Sequence, residues 1–347
     1  MPDLFEPKTM IAAIEQLPAA RTFLRETFFP NEQTHDTRQI EVDVITGGRR
    51  LAPYVSPVQE GVVMKKLGSR TDTIRLPYIK MKYDISAVEA ARRAPGENPY
   101  SAKTPSERAQ EILGRRLLEG MTSIARTVEV QAAQALVTGK VIAKGKDGEG
   151  IDWTVEIDFG RDPDLTVTKI AGEYWTVDTI NPFDDLRTWG MATRKTGGYN
   201  PTEVVMGSDA LSAFLNNPHV QALMDTRRFN SDQVDMEAFA GQGVAYVGSA
   251  EGMNIYHYLE WYEDPSTGTL TEMVPKNAVV MGAKNTRNTV HYGAIVDMEF
   301  DPRAIERKIF PKSWVQEDPS VRWLLLQSSP LATLSEPDSV FVAFPVA

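Results

Sequence analysis

Residues 104–139 constrain the fold more than any other part of this sequence. They open with Thr104-Pro105-Ser106-Glu107, a capping box with proline at the first helical position, where its missing N–H costs nothing. Gly139 stands where a left-handed C-terminal cap is needed. At about 1.5 Å per residue the helix between them would be on the order of 50 Å long, about three times the usual length.

Apolar residues recur along this segment at spacings of three and four, which predicts one apolar stripe on the helix. The stripe consists of Leu113, Leu117, Met121, Ile124, Val128, Ala132 and Ala135. Polar residues such as Arg126 and Glu129 are expected on the other faces. Gly114 and Gly120 each weaken the helix by roughly 1 kcal/mol, so packing must hold it. One stripe without a sustained heptad repeat indicates a spine laid across a sheet, not a coiled coil; we call residues 105–138 the spine helix.

A long antiparallel excursion is predicted for residues 56–83. In this interpretation Val62-Val63-Met64 belongs to the outgoing strand, which ends in a turn at residues 65–68. Alternating apolar residues from Ile79 to Ile85 form the return strand. Pro77 makes a central position in a sheet unfavourable for that strand. The excursion is rich in cations, which are Lys65, Lys66, Arg70, Arg75, Lys80 and Lys82.

These six cations and two carboxylates give the excursion a net charge of +4. Because the whole chain carries −10, the remainder carries −14. Two interpretations stay open: the excursion is a solvated basic face, or it is an arm that lies on an acidic neighbour. Under the second interpretation, the six cations make intersubunit contacts.

The rest of the sequence mixes short helical and strand signals, which predicts an α+β fold. The alternation at residues 40–44 predicts a half-buried strand, and residues 144–148 predict a hairpin turn. A strand at residues 204–206 leads into a helix that Pro218 interrupts, and residues 340–344 form a last strand. Upstream, a cluster of apolar side chains predicts the core anchors of a short helix: Phe23, Leu24, Phe28 and Phe29.

No motif for catalysis, cofactor binding or metal binding is found. P-loop, HExxH and GxSxG patterns are missing, and the glycines at residues 241–248 lack dinucleotide-binding spacing. The chain has no cysteine, which excludes disulfides, thiolate zinc sites and a cysteine nucleophile. The four histidines, His35, His219, His257 and His291, never lie three or four residues apart, although a fold could gather them.

The net charge of −10 argues against a surface that binds nucleic-acid phosphate backbones. No basic segment followed by an apolar stretch opens the chain, and no run of 18 apolar residues occurs, so we expect a soluble protein without a membrane segment. The adjacent acids Asp184 and Asp185 are expected to cap a helix, with a carboxylate pair for catalysis as the alternative.

Several short motifs occur in a characteristic order. They are Thr22-Phe-Leu-Arg25 with Phe28-Phe29, Ala52-Pro-Tyr-Val-Ser-Pro57, Arg92-Arg93-Ala-Pro95 with Glu97 and Pro99, Asp225-Thr-Arg-Arg228, Tyr292-Gly293, Pro311-Lys-Ser-Trp314 with Asp318-Pro319, and Gln327-Ser-Ser-Pro-Leu331 before Glu336-Pro-Asp338. Together they resemble the lambda-like major capsid proteins of tailed phages, often called major capsid protein E, which have the Hong Kong 97 capsid fold. The resemblance covers nearly the whole chain.

This resemblance implies a division of the chain into an arm, a loop and two domains. The implied parts are an N-terminal arm at residues 1–50, an extended β-hairpin loop at 51–85, a peripheral domain at 86–171 and 296–347 that contains the spine helix, and an axial α+β domain at 172–295.

The resemblance also implies a function. Such proteins form hexamers and pentamers that close an icosahedral shell around packaged double-stranded DNA, without sequence-specific binding and without a cofactor. Their partners are scaffolding, portal and maturation protease proteins, often with a decoration protein, and they assemble in the host bacterial cytoplasm before becoming part of the virion. Because this chain lacks a long charged helical N-terminal segment, a separate scaffold is expected.

Two alternatives stay open from the sequence. An encapsulin-like shell of the same fold would hold a protein cargo in place of DNA. A soluble hydrolase would use clustered acids such as Asp184, Asp185 and Glu260, and would purify as a monomer or small oligomer with turnover.

Overall fold

A computed structural model describes residues 6–16, 22–46, 68–92, 104–146, 152–225, 243–264, 267–297, 301–318 and 320–347. The helices in these ranges are α1 (Pro7–Gln16), α2 (Phe23–Phe28), α3 (Ala87–Ala91), α4 (Pro105–Thr138), α5 (Pro182–Thr196), α6 (Ser208–Asn216) and α7 (Pro218–Asp225). Within the same ranges, no helix combines the length and apolar character needed to cross a membrane.

The largest sheet has six strands and mixes parallel and antiparallel pairs. In spatial order they are β7 (Thr166–Thr168), β20 (Val340–Phe344), β13 (Val279–Gly282), β8 (Glu203–Met206), β10 (Met253–Tyr258) and β9 (Val244–Ala250). The β7–β20 and β8–β10 pairs are parallel, and the other pairs are antiparallel.

Smaller sheets and ribbons surround this one. Two three-stranded sheets consist of β17 (Phe310–Gln316), β18 (Val321–Ser328) and β4 (Ile79–Ser86), and of β1 (Asn31–Thr34), β14 (Thr289–Tyr292) and β19 (Pro330–Thr333). Two-stranded ribbons pair β2 (Gln39–Thr46) with β3 (Gly68–Arg75), β5 (Lys140–Lys146) with β6 (Asp152–Asp158), β11 (Trp261–Glu263) with β12 (Leu270–Glu272), and β15 (Ile295–Asp297) with β16 (Asp301–Ile305).

The spine helix is α4, and both of its ends are capped as the sequence predicts. Thr104 Oγ1 accepts a hydrogen bond from the Glu107 N–H at 3.3 Å, and the Glu107 carboxylate accepts one from the Thr104 N–H at 2.7 Å. Gly139 has a φ of +72°, in the left-handed region, and its N–H donates to the Ala135 carbonyl. The local signals therefore define one helix of 34 residues.

The two halves of the spine helix belong to different buried clusters. In its N-terminal half, Leu117 shares a cluster with Leu324 and Leu326 of β18. In its C-terminal half, Leu136 shares a cluster with Val280 of β13. The helix thus joins the β17–β18–β4 sheet to the six-stranded sheet, where the sequence pattern indicated a single sheet.

The six-stranded sheet is buried on both faces, and its central strands are therefore nearly continuous apolar runs. On one face, Val205 and Val280 belong to the cluster that contains the C-terminal half of the spine helix. On the other face, Met281 and Phe341 pack with helices α5 and α6, and the Phe341 ring stacks on Trp189 with centroids 5.6 Å apart. The sheet is therefore the middle layer between the spine helix and α5–α6.

The structure differs from two expectations, which concern the hairpin turn near residue 146 and the boundary between the two domains. The hairpin turn predicted at residues 144–148 is wrong for residues 144–146, because β5 continues to Lys146, and residues 147–148 lie outside the described residues. The strands β7 and β20 join the six-stranded sheet, although the resemblance assigned both to the peripheral domain. The division into domains stays a prediction, and this sheet crosses its expected boundary.

Gly114 and Gly120 both lie within the spine helix but differ in their surroundings. A Cβ at Gly120 would overlap with Leu326 Cδ1 in the core, whereas a Cβ at Gly114 meets no atom within 4 Å. Alanine favours the helix over glycine by about 1 kcal/mol at either position, but overpacking costs about 1 to 3 kcal/mol. We expect Gly114→Ala to raise the free energy of unfolding by about 1 kcal/mol and Gly120→Ala to lower it by about 1 kcal/mol in urea titrations. Equal gains in both variants would contradict the close approach of the helix to β18.

Candidate intersubunit surfaces

The strands β2 and β3 form a long antiparallel ribbon, which we call the arm ribbon. Its eight successive pairs run from Gln39 opposite Arg75 to Thr46 opposite Gly68. At about 3.3 Å per residue, each strand is roughly 26 Å long. The intervening residues 47–67 lie outside the described residues. At the base of the ribbon Leu76 is buried, and its N–H donates to the Arg38 carbonyl at 3.0 Å.

The strand pairing predicted for the excursion was wrong. Residues 79–85 are not its return strand, because β4 pairs with β18 along its whole length. The return strand is β3, and the predicted outgoing residues 62–64 lie outside the described residues. Pro77, which has no N–H to donate to a ladder, lies between β3 and β4, where the chain leaves one ribbon and enters another sheet.

The six predicted contact residues are therefore divided between two elements. Arg70 and Arg75 are on the second strand of the arm ribbon, and Arg75 is exposed. Lys80 and Lys82 are exposed on β4. Lys65 and Lys66 lie outside the described residues. The structure describes these positions within one subunit and leaves their intersubunit role a prediction.

The two lysines on β4 already contact aromatic rings of their own subunit. Lys82 Nζ lies 3.7 Å from the centroid of a Trp323 ring and 5.3 Å from that of Trp314. Lys80 Nζ lies 5.4 Å from the Tyr78 ring centroid. Exposed cation–π contacts of this kind contribute about 0.5 to 1 kcal/mol. Lys82 thus links β4 to β17 and β18, whereas Lys80 contacts a residue just before its own strand.

Glu129, expected on a polar face of the spine helix, is instead 4% exposed. Its carboxylate accepts hydrogen bonds from the Leu24 N–H at 2.8 Å, the Arg25 N–H at 3.0 Å and the Tyr258 hydroxyl at 3.0 Å. Burial raises the pKa of Glu129, and the three donors oppose that shift. The carboxylate supplies the N-terminal cap of α2 that the Thr22 side chain does not make, and it fastens α2 to the spine helix and β10.

The carboxylates of Asp184 and Asp185 point to different surroundings. Neither caps α5, because Asn181 is its N-cap residue. Asp185 Oδ2 accepts hydrogen bonds from Trp175 Nε1 at 2.7 Å and from Lys169 Nζ at 2.5 Å. Asp184 instead forms an ion pair with Arg187, one turn further along the surface of α5. This arrangement serves packing and surface pairing, and it does not direct two carboxylates at one substrate.

We expect the two aspartates to differ sharply when each is replaced by asparagine. Asp185→Asn leaves the Lys169 cation, whose side chain is 10% exposed, without its counter-charge, so the free energy of unfolding should fall by about 1 to 3 kcal/mol. Asp184→Asn removes an exposed pair and should change it by less than about 0.5 kcal/mol. Urea unfolding of both variants checks this prediction, and equal losses would contradict it.

The fold brings together two of the four histidines. His35 Nε2 and His291 Nδ1 are 2.8 Å apart. Burial and the neighbouring His35 lower the pKa of His291 to about 4. Among the residues that the structure describes, no group of three or more histidine and acidic side chains is arranged to hold a metal ion.

The lowered pKa of His291 predicts acid sensitivity of the unassembled subunit. The unfolded chain takes up this proton near pH 6.5, whereas the folded chain resists it until about pH 4, so the stabilisation is present above pH 6.5 and is lost as the pH falls through 4. We expect a loss of about 1 to 2 kcal/mol, reduced by solvent screening. His291→Gln should flatten this dependence in thermal unfolding, and His219→Gln, at an exposed position, should not. Parallel pH profiles for wild type and His291→Gln would refute the prediction.

A spine helix that joins two sheets, a long two-stranded ribbon and a mixed α+β unit together match the Hong Kong 97 capsid fold. Solved structures share this fold. One is the putative capsid protein of a prophage of Escherichia coli CFT073, with a TM-score of 0.73 and 20% identity over 97% of this chain and 98% of that one. Another is a phage-related protein from Bordetella bronchiseptica RB50, with a TM-score of 0.52 and 13% identity over 99% and 97%.

The chain belongs to the phage major capsid protein E family, whose sequence profile matches residues 6–344. It is 27% identical over 350 residues to the major capsid protein of Escherichia phage lambda, covering 99% of each chain. It is 28% identical over 345 residues to the P21 prophage-derived major head protein of Escherichia coli O6:H1, covering 98% of each. The chain is therefore a structural protein of the virion capsid that assembles with copies of itself, and not an enzyme.

Proposed function

We propose that the chain assembles as hexamers and pentamers into an icosahedral shell around the double-stranded DNA of a tailed phage or prophage. The observation that carries this proposal is the match to phage major capsid and head proteins along nearly the whole chain. Heterologous contacts between copies close into rings only if the rotation between subunits closes, so a closed shell requires a controlled geometry. We therefore include scaffolding, portal and maturation protease proteins as partners, with a decoration protein as a further one, and assembly in the host bacterial cytoplasm.

The arm ribbon is the element that we assign to contact between neighbours. A two-stranded ribbon is marginally stable alone in water, so lying on an adjacent subunit stabilises it. The cations Lys65, Lys66, Arg70 and Arg75 then meet acidic surface, since the chain outside the excursion is strongly acidic. Lys80 and Lys82 add positive charge beside the base of the ribbon, and Lys82 also contacts Trp314 and Trp323 of its own subunit.

Many such contacts suffice even when each one is weak. Within a partly closed ring each later contact is intramolecular, so its effective concentration is high and small energies add up. The net charge of −10 supports a wall that encloses DNA without gripping it tightly or reading its sequence.

Particles purified from cells that express the chain with its scaffolding and portal proteins test this function. Size-exclusion chromatography and negative-stain microscopy should show closed shells, and their contents after packaging should be DNA. Shells that hold a protein cargo and no portal would instead identify an encapsulin-like compartment. A chain that stays a monomer or small oligomer under all these conditions would overturn the proposal.

A further inference from the structure

The ribbon formed by β11 and β12 presents two large apolar side chains to solvent. Trp261 is opposite Glu272 in its register. Glu263, two positions along, is opposite Leu270, so these four side chains share one face. Trp261 is 43% exposed and Leu270 is 76% exposed. Tyr262 alternates with them and packs against the buried cluster that contains the C-terminal half of the spine helix. The core therefore holds the inner face of the ribbon, and the outer face is uncovered.

Apolar and acidic side chains alternate across this outer face. Trp261 and Leu270 occupy one diagonal, and the two glutamates occupy the other, at about 7 to 8 Å. Glu272 pairs with Lys276 at 3.8 Å, whereas Glu263 forms no ion pair with any residue that the structure describes. Tryptophan commonly anchors protein interfaces, and charges at the rim select the partner. The face therefore fits a surface that is apolar at its centre and has cations beside it.

Helix α5 carries a surface of this kind. Arg187, Met191 and Arg194 are four and three positions apart, so they form one stripe along the helix. All three are exposed, and Met191 is 58% exposed. Arg187 pairs with Asp184, whereas Arg194 has no ion pair within the described part of the chain. Lys195 adds a cation beside the stripe. The stripe thus places one flexible apolar side chain between two arginines.

The two surfaces lie on opposite sides of the six-stranded sheet, so they cannot meet within one subunit. Helix α5 packs on the sheet through Leu186 and Trp189, in the cluster that contains Met281. The β11–β12 ribbon packs on the cluster of the other face, which contains Val280. A contact between different surfaces of two copies is heterologous and repeats from copy to copy until a ring closes. Complementary surfaces on opposite sides of a subunit allow such a repeat.

We propose that, in the shell, the outer face of the β11–β12 ribbon of one copy packs on the α5 stripe of the next copy. In this contact Met191 lies between Trp261 and Leu270, where its thioether can contact the aromatic ring. Glu263 pairs with Arg194 of the next copy, which gives both charges a partner. The inference rests on the proposed hexamers and pentamers and deepens them, because it assigns their head-to-tail contact to named residues.

Thiol cross-linking of assembled particles tests this contact, because the chain has no cysteine of its own. Met191→Cys and Leu270→Cys are combined in one chain, and a short bismaleimide joins two thiols by adding one of them across each of its double bonds. We expect covalent trimers and larger multimers, at least several-fold above those of wild-type particles. Particles that mix the two single variants should stop at dimers, since each copy then carries one thiol.

The matched control combines Leu270→Cys with Leu118→Cys, at an exposed position on the spine helix, and should give no such multimers. Multimers from the Met191→Cys and Leu270→Cys chain that do not exceed this control would overturn the proposal.

A charge exchange decides the matter if the thiol variants form no particles. Glu263→Arg and Arg194→Glu each place like charges together beside Trp261, so each should lower particle yield at least about threefold. The double variant has the wild-type net charge and should restore most of the yield. Melting temperatures of the unassembled subunits should stay within about 2 °C of wild type. Normal yield from both single variants, or no restoration in the double variant, would overturn the proposal. Failure of the wild-type chain to form shells would instead refute the proposed function.

Discussion

Leu117→Pro is expected to abolish shell formation while the protein is still expressed. Leu117 is 2% exposed and lies in the buried cluster that fixes the spine helix to β18. Proline there removes a backbone hydrogen bond and clashes with the preceding turn, at a cost of about 3 kcal/mol or more. The loss of the buried leucine side chain adds to this cost. Because the helix joins two sheets, a break at this point would separate the surfaces that one subunit presents to its neighbours.

Sedimentation of particles and electron microscopy measure this effect. Leu117→Met conserves volume and should cost less than about 1.5 kcal/mol, so it should assemble. Leu118→Ala, at the neighbouring position that is 38% exposed, should also assemble. Particles at wild-type yield from Leu117→Pro would show that residues 105–138 do not act as one continuous helix in the shell.

Replacing Lys65, Lys66 and Arg70 together with glutamate is expected to block or misdirect shell closure. Each exposed ion pair contributes only about 0.2 to 1 kcal/mol, so one reversal does little, whereas three reversals in every subunit remove several contacts and add repulsion. Assembly of the wild-type chain should also weaken with salt, because the Debye length falls from about 10 Å at 0.1 M to about 3 Å at 1 M. Particle yield against salt concentration measures both effects.

A matched control reverses Arg115, Arg126 and Lys144, which are exposed cations outside the arm ribbon. It changes the net charge equally and should retain more assembly than the triple variant at Lys65, Lys66 and Arg70. Limited trypsin digestion gives an independent measurement, because docking should protect residues 65–70 in particles relative to the free subunit. Equal cleavage in both states, together with normal assembly of the ribbon variant, would remove the arm hypothesis and leave a solvated basic ribbon.

The spine helix could be predicted almost to the residue because its signals are local. A capping box, a stripe of apolar residues and a terminal glycine all lie within the segment that they define. Strand pairing could not be predicted in the same way. The alternation at residues 79–85 correctly indicates a strand with one buried face, but it carries no information on whether the partner is the preceding ribbon or β18, more than 230 residues away.

The residues that the sequence analysis missed have distant partners. Glu129 comes directly after Val128, a residue of the apolar stripe, in the sequence. Its hydrogen-bond partners Leu24 and Tyr258 are 105 and 129 positions away. His35 and His291 are 256 positions apart. No local spacing could reveal these pairs, because only the tertiary fold brings them together. The prediction of six contact cations likewise grouped residues by position in the chain, and the change of sheet at Pro77 divides them.

The six-stranded sheet is complete only after β20 has been synthesised. This strand lies between β7 and β13 in the six-stranded sheet, yet the ribosome makes it after every other strand of that sheet. Until it emerges, β7 lacks the partner strand that the described residues give it and β13 lacks its β20 neighbour, and open strand edges can pair with the wrong chain. A nascent chain therefore cannot present a finished subunit while most of its length is already outside the ribosome.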